Sequence, residues 1–190
     1  MKKILLTVLY VFMSFVLFSQ TKTINILPLG NVGQVELELV KTSISNFYGF
    51  KCVILKPVKL TNDLLSPSKT RYSADKILKK FNGTNHTIVI TSVDITTEKN
   101  GNKEWGVFGL GYMPGNVCVV STKRLKKGVS NETFKDRFEK VILHEIGHNL
   151  GLDHCDKNIH CMMNDAKGTS SQVDNEKIWL CGNCKNKLKK

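Results

Sequence analysis

The feature that most constrains this chain is the run from His144 to His154, HEIGHNLGLDH. Its pattern is H-E-x-x-H-x-x-G-x-x-H, and it holds three of the five histidines. On a helix, residues four apart share one face and lie about 6 Å apart along the axis. His144 and His148 can therefore aim at one metal ion. Glu145 lies one step round the helix, where a general base for a zinc-bound water belongs. Gly151 tolerates a left-handed backbone, so it ends the helix and turns the chain. His154 then returns as a third ligand. Three neutral nitrogen ligands leave a fourth tetrahedral position open to water, as a catalytic zinc requires. A lone helical histidine is ordinarily a packed or surface residue, and only the extended pattern lifts this run above that.

A chain of 190 residues with 41% hydrophobic content accommodates one domain with an ordinary core. The formal charge is +12; Lys2 and Lys3 supply two of these charges, and without the N-terminal segment about +10 remains (12 minus 2). Such a balance suits nucleic acid, anionic membranes or acidic substrates. No basic motif interleaved with aromatics appears, so a solvated basic surface is expected and a nucleic-acid partner is not. Lys2 and Lys3 precede an apolar run from Ile4 to Phe18, which reads as an export signal over residues 1–19. The run is short for a spanning helix, which needs about 20 residues. An uncleaved membrane anchor is the alternative. The expectation is one catalytic domain over 20–190, monomeric and exported to the periplasm or beyond. After signal cleavage it would have no stable membrane association.

The order of elements reads as α/β. Ile24 to Leu29 forms a first strand, and apolar spacing at Leu37, Val40, Ile44 and Phe47 predicts a helix closed by Gly49. Lys51 to Leu60 reads as a second strand, ending or exposed at Pro57. A polar loop over Asp63 to Arg71 follows, then a helix capped by Ser73 and running to Phe81, then a third strand over Thr87 to Thr91. Such alternation predicts parallel neighbours in a sheet. Thr96 to Lys103 reads as a polar turn region. Trp105 to Gly111 and Val117 to Ser121 read as two more strands. The glycine-rich first of these suits either an edge strand that receives a substrate backbone or a plain hairpin. Asn131 is the expected cap of the helix carrying the histidines, with Phe134, Phe138, Val141 and Ile142 on its buried face.

Four cysteines follow: Cys155, Cys161, and the C-x-x-C pair Cys181 and Cys184. Four thiolates so grouped suit a second, closed, structural zinc. In an oxidising compartment they would equally suit two disulfides. Cys52 and Cys118 fall in predicted strands, as buried free thiols or as a bridge if those strands are neighbours.

With these residues in hand, the chain resembles the metzincin metallopeptidases, and within them the archaemetzincins. Their pattern continues past the third histidine as C-x4-C-x-M-x17-C-x-x-C. Here Cys155, Cys161 with Met163, and Cys181 to Cys184 match it, with five residues instead of four between Cys155 and Cys161. His160 stands where the family has cysteine. A one-residue insertion explains that departure, since every later spacing fits from Cys161; replacement of a thiolate by His160 is the other option. The resemblance implies a metzincin-like domain with a twisted, mixed five-stranded sheet, an active-site helix under a cleft, and a zinc-stapled C-terminal segment. It implies a structural zinc on Cys155, Cys161, Cys181 and Cys184. It implies that Met163 packs beneath the catalytic metal as the Met-turn residue, and that the Trp105–Gly111 strand is the antiparallel edge above the cleft.

The expected function is zinc-dependent hydrolysis of peptide or protein substrates, with two zincs per chain and Glu145 as general base. The rival expectations are a catalytically silent zinc protein of the same fold and a zinc-module nucleic-acid binder.

Overall fold

The computed structural model describes residues 22–188, so the expected export segment lies outside the described residues. The first strand, β1 (Thr23–Leu29), leads into helix α1 (Gln34–Tyr48) and back to β2 (Lys51–Ile54). Gly49 closes α1 in the left-handed region at φ 71°, which lets the chain reverse at once into β2. A short strand, β3 (Tyr72–Ser73), is followed by α2 (Ala74–Phe81) and β4 (His86–Thr91). Ser73 caps α2, accepting from the Lys76 amide at 3.2 Å. Then come β5 (Ile95–Lys99), β6 (Asn102–Val107), β7 (Gly109–Gly111) and β8 (Val117–Ser121). Helix α3 (Asn131–Asn149) carries the first two histidines. The short helices α4 (Ser170–Asn175) and α5 (Gly182–Leu188) complete the described chain. None of the described helices is long and apolar enough to cross a membrane.

The main sheet runs β2-β1-β4-β8-β7, mixed and five-stranded, as expected. Its first four strands are parallel, and β7 joins β8 antiparallel at the edge. Side chains alternate between faces at a period of two. Ile24, Ile26, Ile88, Ile90, Cys118 and Val120 point to one core, shared with α1 and α3. Leu27, Leu29, Val89, Val117 and Val119 point to a second, shared with α2. All five residues of β8 are buried, the mark of a central strand covered on both faces. Phe134, Phe138, Val141 and Ile142 of α3 are buried in the first core. Truncating Phe138 alone would cost roughly 3–5 kcal/mol.

Several expectations need correction. The region Thr96–Lys103 is not a turn region: β5 and β6 form an antiparallel hairpin, turning at Asn100 and Gly101, which both have positive φ. With β3 they make a separate three-stranded sheet. One face of this sheet is wet, so its strands carry polar residues and hide from a hydropathy reading. The stretch Trp105–Gly111 is not one strand. It breaks at Phe108, with Asn102–Val107 in the small sheet and only Gly109–Gly111 forming the antiparallel edge of the main sheet. The second strand stops at Ile54, before Pro57; Val58 then touches Leu29 only through an isolated bridge. The polar loop begins with one 3-10 turn at Asn62–Leu64. Ser130, not Asn131, caps α3, accepting from the Thr133 amide at 3.2 Å. Cys52 and Cys118 lie on β2 and β8 with β1 and β4 between them, so they cannot bridge and stand as free thiols.

Candidate metal centre and active site

Helix α3 rests on the first core and is tied at both flanks near its end. Tyr48 of α1 donates to the Leu143 carbonyl at 2.8 Å. Asn149 donates to the carbonyls of Tyr112 and Val117 at 2.8 and 2.9 Å, fixing the helix to the β7–β8 connection. The helix then ends in a double-bonded turn. The Gly151 amide donates to His148 O and the Leu152 amide to Gly147 O, at 2.8 and 3.0 Å. Gly151 adopts φ 88°, as a residue at this position must. That turn swings the chain back beneath the helix and delivers His154 to its two predecessors.

The three imidazoles converge. Ring centroids lie 4.6 Å apart for His144 and His148, 4.8 Å for His148 and His154, and 5.4 Å for His144 and His154. One ring nitrogen from each lies within 4.8 Å of the others. Two rings are held from behind. His144 Nδ1 sits 2.7 Å from Met162 O, and His148 Nδ1 sits 2.7 Å from Leu152 O. A carbonyl only accepts, so each Nδ1 is the protonated nitrogen and each Nε2 keeps its lone pair. This tautomer-fixing contact is the usual outer support of a metal-ligating histidine. Burial, then the nearby His148, pushes His144 down to about 3, so it stays neutral and able to donate a lone pair. Burial lowers His148 as well.

Glu145 is 6% exposed, and its Oε2 is buried without any hydrogen-bond partner among the described residues. Burial pushes its carboxyl up to about 8. An orphaned carboxyl oxygen in a site that gathers three imidazoles is costly unless something cationic or protic completes it. The residues present therefore fit a bound cation. Gly109 on β7 is a consequence of the same crowding, since a Cβ there would stand 2.6 Å from Glu145 Oε1. The edge strand thus lies directly over the carboxylate. Together these groups line a cavity of about 540 Å³ between β7, α3 and the chain after His154.

The four cysteines form a second cluster. All are buried, and one sulfur from each lies within 4.8 Å of the others. Sγ of Cys155 and Cys181 are 3.6 Å apart, and those of Cys161 and Cys184 are 3.8 Å apart. A disulfide needs about 2.05 Å. A tetrahedron of sulfurs about 2.3 Å from a central zinc has edges of about 3.8 Å. The donor set and its spacing fit a closed zinc site. His160 is not part of it; its ring lies 2.9 Å from Asn175 O. Cys161 is, as a one-residue insertion requires. Met163 is fully buried, with its sulfur against Gly147 of α3, where a Cβ would stand 2.6 Å away. Its carbonyl accepts from the Cys155 amide at 2.7 Å.

A family model described as peptidase family M54 matches residues 15–190. The chain belongs to this family. An archaemetzincin from Halobacterium salinarum is 32% identical over 172 residues, covering 85% of this chain and 96% of its own. One from Haloarcula marismortui is 30% identical over the same coverage. The crystal structure of the Archaeoglobus fulgidus archaemetzincin, complexed with malonate, superposes with a TM-score of 0.76. It is 28% identical and covers 87% of this chain and 99% of its own. The Methanopyrus kandleri archaemetzincin shares the fold at a TM-score of 0.75, with 24% identity over 92% of this chain and 97% of its own. The M54 chain described here is accordingly a zinc metallopeptidase with a mixed five-stranded metzincin-type sheet.

Other cavity residues carry no sequence signal. Asp165 pairs with Lys99 of β5 at 3.4 Å, and Glu176 lines the same cavity as a buried acid. Both acids lie in the stretch between Met163 and Cys181, where no spacing rule marks an isolated carboxylate.

Proposed function

We propose that His144, His148 and His154 hold a catalytic zinc, the first two through Nε2, and that Glu145 is the general base of peptide hydrolysis. When bound, zinc supplies a Lewis acid that polarises a scissile carbonyl and acidifies water toward neutral pH. Glu145 accepts the proton of the attacking water and passes it to the leaving amine. The Met162 and Leu152 carbonyls hold two of the rings in the productive tautomer. The free edge of β7 offers backbone groups on which an extended substrate can add as a strand. Met163 serves as the packed methionine beneath the histidines. Cys155, Cys161, Cys181 and Cys184 hold a second, structural zinc that closes the C-terminal segment. The observation that carries this reading is the unpartnered Glu145 oxygen beside three converging imidazoles, two of them fixed from behind.

Lys2, Lys3 and the apolar run behind them support export; peptides are the proposed substrates and a monomer the proposed working unit. The test is metal analysis of the purified protein with peptidase assays on the native chain and Glu145→Gln. Two zincs per chain are expected in both proteins. Loss of about 10²- to 10⁴-fold in kcat/KM is expected for the variant. Full chelator-sensitive activity in Glu145→Gln would remove Glu145 from the mechanism.

A further inference from the structure

The cavity does not end at the histidines. It extends along α3 toward that helix's start as far as Val141, one turn before Glu145. Val173 of α4 and Phe108 join its wall there, both nearly buried. Against these apolar residues stands Glu176, only 5% exposed, one of four acids lining the cavity with Glu145, Asp153 and Asp165. Its Oε1 accepts a single long hydrogen bond, from Gln172 at 3.4 Å. Oε2 has no hydrogen-bond partner among the described residues, yet it is not sealed off as Glu145 Oε2 is. Glu176 belongs to none of the described ion pairs. Lys140 is the cation whose charge acts on it, but that ammonium already donates to Asp136 and to Val173 O, at 2.7 and 3.1 Å.

A nearly buried carboxylate with one weak partner costs the fold stability, and burial pushes this one up to about 8. Such a group in a substrate cavity is completed when a ligand supplies the missing cation. We propose that this recess is a side-chain subsite in which Glu176 selects a lysine or arginine flanking the scissile bond. Val141, Val173 and Phe108 cover the methylene stem, and the carboxylate receives the charged head. The subsite rests on the peptidase reading, because a flanking residue has meaning only where a bond is cut.

The test uses the zinc-loaded full chain. Cleavage products of a mixed peptide library, read by mass spectrometry, locate the position the recess reads. Matched peptides with lysine, arginine or the neutral norleucine there are then compared for kcat/KM. The same peptides are titrated for binding to Glu145→Gln, with and without Glu176→Gln. A preference for lysine and arginine of about 10- to 100-fold over norleucine is expected, as for one charged hydrogen bond in a partly desolvated site. It should appear in both rate and binding and collapse in Glu176→Gln. Glu176→Lys should turn the preference toward acidic peptides. Cleavage without a basic preference, or a preference that survives Glu176→Gln, overturns the subsite and leaves the peptidase standing. Glu176-dependent binding of basic peptides without cleavage of any peptide upholds the recess and overturns the peptidase. Neither cleavage nor selective binding overturns both.

Discussion

The two ligand clusters are built from neighbouring residues, His154 being followed at once by Cys155, and they are built in opposite ways. The histidines come from one long helix and the turn behind it. They differ in exposure, from the buried His148 to the exposed His154, and they face a cavity. The cysteines are all buried, three of them outside regular elements and Cys184 on the short α5, and they meet across 29 residues of sequence (184 minus 155). The first cluster is positioned by a packed core that exists without it. The second is itself much of what positions its surroundings, since residues 155–181 hold only one six-residue helix. The general lesson is that an open site must be held by something else, whereas a closed site can do the holding.

Breaking the cysteine cluster should therefore do the most damage. Replacing Cys181 and Cys184 together by serine would remove the proposed structural zinc, worth on the order of 10 kcal/mol. Zinc content should fall from two to one per chain, and limited proteolysis should open the segment after Cys155. If the segment stays resistant, the cysteines do not hold it. His154→Ala is the matching change at the open site. Activity should fall by more than about 100-fold, beyond the loss of about 10- to 100-fold typical of removing an outer-shell partner, while the proteolytic pattern stays native. Opening of the C-terminal segment in this variant would mean the two clusters are not separable.

Two smaller changes probe the link between the clusters. In Gly147→Ala the new methyl must displace the Met163 sulfur, which couples α3 to the cysteine segment. Overpacking of this kind costs about 1–3 kcal/mol, seen as a lower Tm with both zincs retained. An unchanged Tm would show that the Met163 turn yields freely. Asp174 of α4 and Arg137 of α3 form a two-pronged ion pair, 2.6 Å at each contact. The guanidinium holds Asp174 below its usual value of 3.8. A carboxyl with a depressed folded pKa stabilises above its unfolded value and loses that contribution as pH falls through the folded one. Asp174→Asn should therefore lower stability at neutral pH by about 1 kcal/mol or less, because this carboxylate is well exposed to solvent. The gap between native and variant melting curves should close below about pH 4. A gap that persists in acid would trace to packing and not to charge.

Much of the site could be read before any coordinates. The i, i+4 histidines, Glu145 between them and Gly151 at the turn form a local pattern whose meaning follows from helix geometry alone. Four strands of the main sheet, β1, β2, β4 and β8, were also legible, because parallel strands carry continuous apolar runs; the antiparallel edge β7 was read only as part of a longer strand. The β5–β6 hairpin was not legible, since β5 is buried only at Ile95 and Thr96 and carries polar residues from Thr96 onward. Ser130 and Asn131 are both good capping residues, and only the hydrogen bond to Thr133 separates them. The glycines near the edge strand suggested a close approach of another backbone. In the structure Gly109 and Gly106 instead make way for side chains, Glu145 and the Arg124 guanidinium, whereas at Gly111 the Glu145 carbonyl oxygen does come close, 3.2 Å from where a Cβ would stand.

Residue spacing alone was enough to specify the histidine set, because helix rise and a glycine turn tie those positions together within eleven residues. It also specified which cysteines could share an ion, because their intervals match a known grouping. Only tertiary structure decided that the sulfurs meet unbonded, that β7 lies over Glu145, and that Glu176 faces the same cavity as the histidines. Those facts depend on loops closing across long stretches of sequence, and loop closure is governed by packing between distant segments, which no local pattern records.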